Sequence, residues 1–276
     1  MESNTKILLY DDYCPLCTWY SGLFVKYKLL EPENRVPFSK AEIEILTSID
    51  VEKAKDEIPF FDTKTGETLY GIDSLLEILG QKKRVIRFIG NFRLVKWFLK
   101  RLYKLISYNR KVIVAKKCGP GSFDCSPGFN VFYRVLFMIL FLFFNSFMLL
   151  PLHYNLFTGL SFYHLSLHQL QAAHLIFVSV NCAVAVFLKQ RQAIEFLGQI
   201  NMLALITILL LIPIMVFSCL IMATESIIII YLASLTALII REYFRRMKYA
   251  NIILKYKSVI AVNLICLVAF LIYVFH

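Results

Sequence analysis

The chain has 276 residues, 58% of them hydrophobic, with a mean hydropathy of +0.64 and a formal net charge of +11. This composition excludes an ordinary soluble globular protein, which is nearer half apolar, and a disordered chain, which is poor in hydrophobic residues. Residues 1–81 carry a net charge of −7, residues 82–128 carry +12 and residues 129–276 carry +6. We therefore expect an acidic soluble domain, a basic collar (residues 82–128) and an apolar membrane domain.

The chain opens without the features of a secretory leader. The segment MESNTKILLYDDYC contains an acid at Glu2, and its apolar run from Ile7 to Tyr10 is short. A leader needs a basic start, a longer apolar stretch and a small-residue cleavage site. We therefore expect the N-terminal domain to stay in the cytosol.

Residues 6–79 alternate between strand and helix patterns. The segments KILLYDD and RVPFSK are strand-like, CPLCTWYSGLFVKYKLL and AEIEILTSI are helical, and EIPFFD and ETLYG flank a turn as a hairpin before the helical SLLEIL. The order β-α-β-α-β-β-α is that of a thioredoxin-like α/β fold.

Two cysteines lie between the first predicted strand and the first predicted helix. A C-x-x-C in this place is a redox signature in a cytosolic protein. Cys14 would lie at the helix start, where free backbone N–H groups favour a thiolate, and Cys17 one turn later would resolve a mixed disulfide. Asp11 and Asp12 oppose thiolate formation by charge repulsion, and either of them is a candidate proton acceptor for Cys17.

Pro59 precedes the predicted hairpin strand. Thioredoxin-like folds place a cis-proline before the strand that faces the C-x-x-C, and IPFFDTKTGE has that layout. A trans proline at a strand edge is the alternative.

The collar has the pattern of a surface-lying amphipathic helix over 82–117. Basic residues share one face and apolar residues the other; the basic ones are Arg93, Lys96, Lys100 and Lys104, and the apolar ones Phe92, Val95, Leu99, Leu102 and Ile106. This pattern indicates either docking on anionic lipid or a positive flank that orients the first span. No nucleic-acid-binding motif accompanies the charge, so we expect no nucleic-acid partner.

Cys118 and Cys125 stand in CGPGSFDC before the first apolar segment. Three interpretations remain open: free thiols, a second redox pair that exchanges electrons with Cys14 and Cys17, and a zinc site formed by all four cysteines. The six-residue spacing of the second pair is wide for zinc. We expect a redox-active disulfide and no cofactor.

Five segments after residue 129 are apolar enough to span a bilayer of about 30 Å. The segments are 131–150, 170–188, 198–218, 224–240 and 258–275. Four spans, with one segment re-entrant, is the alternative. With the N-terminus inside, every later Lys or Arg lies on the inner side, which puts His276 outside. We expect an integral protein of a bacterial inner membrane.

His164 and His168 lie at the predicted outer side, near the second span. Their spacing would place them on one helix face, as metal or haem ligands require. Interfacial histidines that contact water or headgroups are the alternative. Both are accessory candidates only.

The motifs together resemble one family. YDDYCPLC is similar to the D-x-x-C-x-x-C signature of the DCC family of predicted thiol-disulfide oxidoreductases, at Asp11, Cys14 and Cys17. The family commonly has glycine where this chain has Asp12. The segment YGIDSLLEIL is similar to its glycine-x-aspartate motif, and ISYNRKVIV to its asparagine-arginine stretch at 109–110. The resemblance covers about residues 5–128 and implies a thioredoxin-like fold and redox activity, without a substrate.

These features predict a membrane-anchored, cytosol-facing thiol-disulfide oxidoreductase with Cys14 as nucleophile, Cys17 as resolving thiol and Asp11 nearby. Its partners would be anionic inner-leaflet lipid and a thiol or disulfide protein, or a small redox carrier such as a quinone. The alternative is a transport or assembly component whose thioredoxin-like domain binds a partner without turnover.

Overall fold

The computed structural model describes residues 5–116, 127–221 and 224–275. The chain forms two compact units, Met1–Tyr133 and Arg134–His276. The first contains a small mixed sheet with helices, and the second is helical with short connections over its described residues. The first unit extends beyond the predicted domain of residues 1–81 because it includes the described part of the collar.

Four short strands form the sheet: β1 (Lys6–Tyr10), β2 (Arg35–Pro37), β3 (Pro59–Asp62) and β4 (Thr68–Tyr70). Their spatial order is β2-β1-β3-β4, with β1 parallel to β2 and the other two pairs antiparallel. A parallel pair needs a crossover between its strands, and the first helix supplies it. The tight hairpin between β3 and β4 lies where the sequence predicts it.

The described residues of the first unit form six α-helices: α1 (Pro15–Lys26), α2 (Ile43–Ser48), α3 (Val51–Asp56), α4 (Ile72–Lys82), α5 (Arg84–Asn91) and α6 (Arg93–Val114). The predicted order of strands and helices is found, with the second helical region divided into α2 and α3. The collar is two helices and not one, since the chain is extended at Phe92.

The sheet has an apolar core on each face. Leu8 and Phe60 point to one side, where they pack with Ile78 of α4, and the neighbouring Leu9 and Phe61 point to the other. Successive side chains of a strand alternate between faces, so β1 and β3 contribute to both cores. Each fully buried side chain of this size contributes about 1.5–3 kcal/mol. The sheet is therefore a rigid base for the segment that follows β1.

The basic stripe of α6 faces the acidic part of its own unit. Lys96 and Lys100 contact the Asp73 carboxylate at 2.6 and 3.0 Å, and Lys104 lies 3.8 Å from Glu57. These contacts lower the pKa of Asp73 although its burial acts in the opposite direction. Three of the four basic residues of the predicted stripe therefore contact carboxylates of their own unit, and lipid docking by the collar stays a prediction. Positive charges of the collar thus pair with negative charges of the domain inside the same unit.

Gly71 begins α4 with a positive φ of 59°, which side chains other than glycine adopt at a cost. Its N–H donates to the carbonyl of Ile58 at 2.9 Å. Asp73, two residues later, binds the lysines of α6. The glycine-x-aspartate motif thus makes a backbone turn and a contact to the collar.

The second unit is a helical bundle. Its helices are α7 (Val131–Asn155, which starts in the first unit), α8 (Leu167–Ala185), α9 (Gln190–Ile221), α10 (Glu225–Tyr249), the short α11 (Ile252–Lys255) and α12 (Lys257–Phe275). Among the described residues, four of them, α7, α9, α10 and α12, are long and apolar enough to cross a membrane. The chain is therefore an integral membrane protein by these criteria.

The predicted second span, 170–188, corresponds to α8, which is not among those four. His168, Gln169, Gln171 and His174 make its first half polar. The fifth crossing therefore remains a prediction. α8 nevertheless packs on α12 and α9, and Asn181 of α8 and Asn263 of α12 form a buried hydrogen bond.

Polar contacts define two ends of the bundle. At one end, Glu225 accepts hydrogen bonds from the backbone N–H and hydroxyl of Ser161, both at 2.7 Å. At the other end, Tyr256 donates to Gln192 at 2.8 Å. Since the chain goes from residue 161 to residue 192 through α8, this helix runs between the two ends.

Candidate active site

Cys14 lies between β1 and α1, at the N-cap of the helix. Its backbone is extended (φ −91°, ψ 109°), and its carbonyl accepts the first-turn hydrogen bond from the N–H of Thr18 at 2.9 Å. Pro15 follows at the first helical position, where no N–H is required. The chain thus enters the helix at Cys14, and the free N–H groups and the helix dipole favour a negative charge there.

Cys17 lies one turn later on the buried side of α1. Both cysteines are free thiols with only 3% of their surface exposed. A carboxylate oxygen of Asp11 and the two sulfur atoms lie within 4.8 Å of one another. The structure therefore brings together the three residues that the sequence predicts as the site.

Asp11 is fixed by the backbone of the turn. Its Oδ1 accepts hydrogen bonds from the N–H groups of Tyr13, at 3.0 Å, and Cys14, at 3.1 Å. Its Oδ2 is buried without a hydrogen-bond partner among the described residues. Asp12, in contrast, accepts a hydrogen bond from Ser39 at 2.9 Å. Of the two carboxylates, Asp11 is the one beside the thiols.

Arg110 of α6 provides a positive charge at the site. Its Nη1 lies 3.8 Å from the sulfur of Cys17, and its Nη2 donates to the carbonyl of Lys55 at 2.7 Å. Burial disfavours the charged guanidinium, but attraction to Cys17 and Cys14 outweighs this effect and raises the pKa of Arg110. The cation is thus held in place for an anion on the cysteine pair.

The two thiols have opposite acidities. A hydrogen bond from Cys17 lowers the pKa of Cys14 to about 6, against the effect of burial and with a smaller contribution from Arg110. The same hydrogen bond, together with burial, raises the pKa of Cys17. The pair therefore carries one negative charge at neutral pH, on the cysteine at the helix start.

The segment before β3 is hydrogen-bonded to α6 and α4. The N–H of Ile58 donates to the hydroxyl of Tyr103 at 2.8 Å, and the Ile58 carbonyl accepts from Ser74 at 3.0 Å. The Ile58–Pro59 bond is trans, as are all peptide bonds among the described residues. Of the two alternatives for Pro59, the structure has the trans proline, at the start of β3.

Asp11, Cys14 and Cys17 offer a carboxylate oxygen and two sulfur atoms, a donor set that suits zinc once both thiols are deprotonated. This trio is the one group of three or more such ligands found within the described ranges. The guanidinium of Arg110 already lies beside Cys17, so a metal ion bound to this sulfur would be repelled by a positive charge at short range. Cys118 and Cys125, the other proposed zinc ligands or second redox pair, lie outside the described residues.

The accessory histidines do not share a helix face. His164 lies in the connection before α8, and His168 is the second residue of that helix. Both side chains are exposed. Helical i, i+4 spacing does not apply to a pair of which one member precedes the helix, so that basis for a metal or haem site is lost.

Sequence reasoning missed two residues near the site: Arg110, and Tyr103, whose pKa is raised by burial with a smaller contribution from Cys17. Arg110 follows the cysteines by more than ninety positions, as the 93-residue separation of the Arg110–Cys17 contact shows. The resemblance of ISYNRKVIV to a family motif marked Arg110 but gave it no role. Tyr103 carried no signal beyond its amphipathic position. No protein-family model, curated protein or solved structure matches the chain.

Proposed function

We propose that the protein is a membrane-anchored thiol-disulfide oxidoreductase that uses Cys14 and Cys17. The observation that carries the proposal is the pair itself: a thiol of pKa about 6 at a helix start, with a second thiol one turn later. Thiolates and not thiols attack disulfides, so a lowered pKa makes Cys14 the attacking group at neutral pH.

The reaction has two displacement steps. The Cys14 thiolate attacks one sulfur of a substrate disulfide, forms a mixed disulfide and expels the other substrate sulfur as a thiolate, which takes a proton from solvent. Cys17 then loses its proton to Asp11 and attacks the Cys14 sulfur, which expels the second substrate thiolate. Two electrons pass from the protein dithiol to the substrate disulfide. A thiol or dithiol reductant returns the protein to its starting state by the reverse exchange.

Asp11 and Arg110 have separate roles in this scheme. The unpartnered Oδ2 of Asp11 is the acceptor available to the high-pKa thiol of Cys17. Arg110 stabilises whichever sulfur carries the negative charge as it moves from one cysteine to the other. Both side chains are buried, so their charges act on the cysteine pair and are not part of the protein surface.

The finer identities belong to the same proposal. The strand order β2-β1-β3-β4 and the position of the cysteines support a thioredoxin-like fold of the DCC type. The charge distribution supports a cytosolic first unit in a bacterial inner membrane. A small substrate or a local opening of the turn is required, since both sulfur atoms are nearly inaccessible.

A stoichiometric disulfide exchange tests the proposal. The full chain is purified with the other five cysteines replaced by alanine and is treated with 5,5′-dithiobis(2-nitrobenzoate), a disulfide that releases a coloured thiolate. The parent should release two thiolates and form the Cys14–Cys17 disulfide. Cys17→Ser should release one thiolate and keep the mixed disulfide on Cys14. The disulfide of the parent should have a reduction potential of roughly −120 to −270 mV.

The matched control is Cys14→Ser, which leaves only the high-pKa thiol and should react far more slowly. A pair that reacts no faster than this control, or that forms no internal disulfide, would favour the alternative function. The burial of both sulfur atoms is the observation that favours the alternative function, because a substrate disulfide cannot reach a buried pair. Retention of biological function by Cys14→Ser would point the same way.

A further inference from the structure

The collar exposes an unusual number of large apolar side chains. Phe88 is 84% exposed, Leu94 70% and Trp97 60%. Further exposed apolar residues of α5 and α6 are Val85, Ile89, Phe92, Phe98, Leu102 and Ile106. In α6, positions 94, 98, 102 and 106 are four apart and form a stripe along the helix. Soluble surfaces rarely keep so many large apolar groups together without a partner.

A groove with basic walls lies beside this surface. It has a volume of about 680 Å³, and its lining includes Arg84, Arg87, Asn91, Phe88 and Phe92. Arg87 contacts Glu77 at 3.2 Å, while Arg84 is exposed. The groove therefore combines guanidinium groups with apolar side chains, which matches an anionic head attached to an apolar chain.

Arginines and two lysines at the start of the collar carry the exposed positive charge at this surface, and one of them, Arg87, also contacts Glu77. Lys96, Lys100 and Lys104 are already paired with carboxylates of the unit. The exposed basic residues around the apolar side chains are Lys82, Lys83, Arg84, Arg87, Arg93 and Arg101. Arg101 also lies over the Trp97 ring, with its guanidinium carbon 5.4 Å from the ring centre. An apolar patch with a basic rim complements an anionic bilayer surface.

The collar is also continuous with a membrane-spanning helix. Tyr133, the third residue of α7, accepts a hydrogen bond at 3.0 Å through its carbonyl from the buried side chain of Asn109. The Tyr133 ring stacks on Tyr108, with ring centres 5.1 Å apart. These contacts hold the end of α6 against the first turn of α7, a helix long and apolar enough to cross a membrane.

We propose that α5 and the first half of α6 form a docking surface for an anionic lipid bilayer. Apolar side chains from Val85 to Ile106 enter the headgroup region, and Arg84 and Arg87 bind lipid phosphate in the groove. This inference is independent of the thiol chemistry, since none of these residues belongs to the cysteine site. It assigns the lipid contact of the predicted amphipathic collar to the apolar and arginine surface, because the lysines of the predicted basic face already contact carboxylates.

Fluorescence quenching of Trp97 tests this surface. The full chain carrying Trp19→Phe is placed in nanodiscs of phosphatidylcholine, or of phosphatidylcholine with phosphatidylglycerol, each with and without brominated acyl chains. Bromine quenches tryptophan only at short range, so bromination should reduce the Trp97 emission by about twofold in the anionic discs. The reduction should be smaller in the zwitterionic discs.

Two charge variants complete the design. Arg84→Gln with Arg87→Gln should weaken the quenching in anionic discs, whereas Lys40→Gln with Lys64→Gln, which removes the same charge from other exposed positions, should not. Emission that bromination leaves unchanged would overturn the proposal, as expected if a protein partner or a second copy covered the patch. Quenching that depends on neither lipid charge nor the arginines would overturn the assignment of anionic headgroups.

Discussion

At the scale of single residues, the site depends on an asymmetry between two chemically identical side chains. Cys14 lies at the helix start and accepts a hydrogen bond from Cys17, which lies deeper and is disfavoured as an anion by burial. Arg110 is near enough to compensate for the missing water around this charge. In the proposed exchange reaction, this arrangement makes one sulfur the attacking group and keeps the other protonated until the second step.

The pH dependence of Cys14 alkylation follows from its pKa. With iodoacetamide, the rate for the reduced protein should rise with a midpoint near pH 6, because the thiolate is the reacting form. Arg110→Met should raise the pKa of Cys14, so that the rate at pH 6 falls about fivefold, the effect of a one-unit shift. Lys104→Met, with the same change in charge on α6, should leave the midpoint in place.

The lowered pKa of Cys14 also determines how the stability of the folded protein changes with pH. The pKa of Cys14 in the folded protein, about 6, lies below its ordinary value of 9.0, so folding favours the thiolate. This contribution to the free energy of unfolding is complete above pH 9, and is lost as the pH falls through 6. A midpoint above pH 8 in the alkylation profile would contradict the assigned acidity.

Sequence was a good guide to Asp11, Cys14 and Cys17 because the three are local in the chain and their spacing fixes their geometry. Arg110 was out of reach, since only the packing of α6 brings it to α1. The choice between Asp11 and Asp12 also needed coordinates. One side chain turns back to its own backbone, and the other reaches Ser39.

At the scale of helices, buried polar side chains hold the membrane unit together. Arg246 of α10 is 1% exposed and donates to Gln199 of α9 at 2.8 Å, while it also contacts Glu242 at 2.8 Å. Gln199 in turn donates to Glu195 at 2.9 Å, and Glu195 lies 3.5 Å from Arg134 of α7. The network joins three helices near one end of the bundle, where unpaired charges would be costly.

Gln199→Leu should destabilise this unit. The substitution removes the acceptor for Arg246 and leaves a buried guanidinium N–H without that partner, a loss of about 1.5–3 kcal/mol. For a unit of this size the thermal midpoint in detergent should fall by about 5 °C. Gln171→Leu, a similar change at a partly exposed position of α8, should have little effect, and equal losses for the two variants would refute the role of the network.

Periodicity and charge predicted that the collar is helical, as one helix over 82–117, but neither its division at Phe92 nor the direction that its basic face takes. The pattern of α6 separates basic from apolar residues, and a helix in isolation gives no reason to turn the basic face inward. The acidic composition of the first unit supplies that reason through Asp73 and Glu57. Apolar residues are left outside as a result.

At the scale of the whole chain, the number of membrane crossings decides which side each loop occupies. Four helices satisfy length and hydropathy, and α8 runs between the same two ends despite its polar first half. With five crossings every Lys and Arg after residue 129 lies at one side, whereas four crossings would divide them. At 1.5 Å per residue, the 19 residues of α8 measure about 28 Å, close to the hydrocarbon thickness.

Reporter fusions distinguish the two counts. Alkaline phosphatase, which needs disulfides and is active only outside the cytosol, should be active when fused after His276 and inactive when fused after Lys255. Five crossings from a cytosolic first unit require this pattern. Four crossings without α8 reverse both results, and green fluorescent protein at the same two positions should give the complementary pattern.

The apolar segments were visible in the sequence because hydropathy needs no tertiary information. The boundaries of these helices were harder to predict from the sequence. α9 begins at Gln190, well before the predicted residue 198, because packing in the bundle extends the helix into polar sequence. The reporter fusions decide whether α8 crosses the membrane.

One helix, α6, carries Trp97 at its beginning and Arg110 near its end. If the proposed lipid contact near Trp97 is coupled through α6 to the charge on the cysteine pair, thermodynamic linkage makes the effect reciprocal. The factor by which bilayer contact alters the dithiol equilibrium would then equal the factor by which oxidation alters bilayer affinity. The redox state of the pair would in that case change how tightly the first unit binds the membrane.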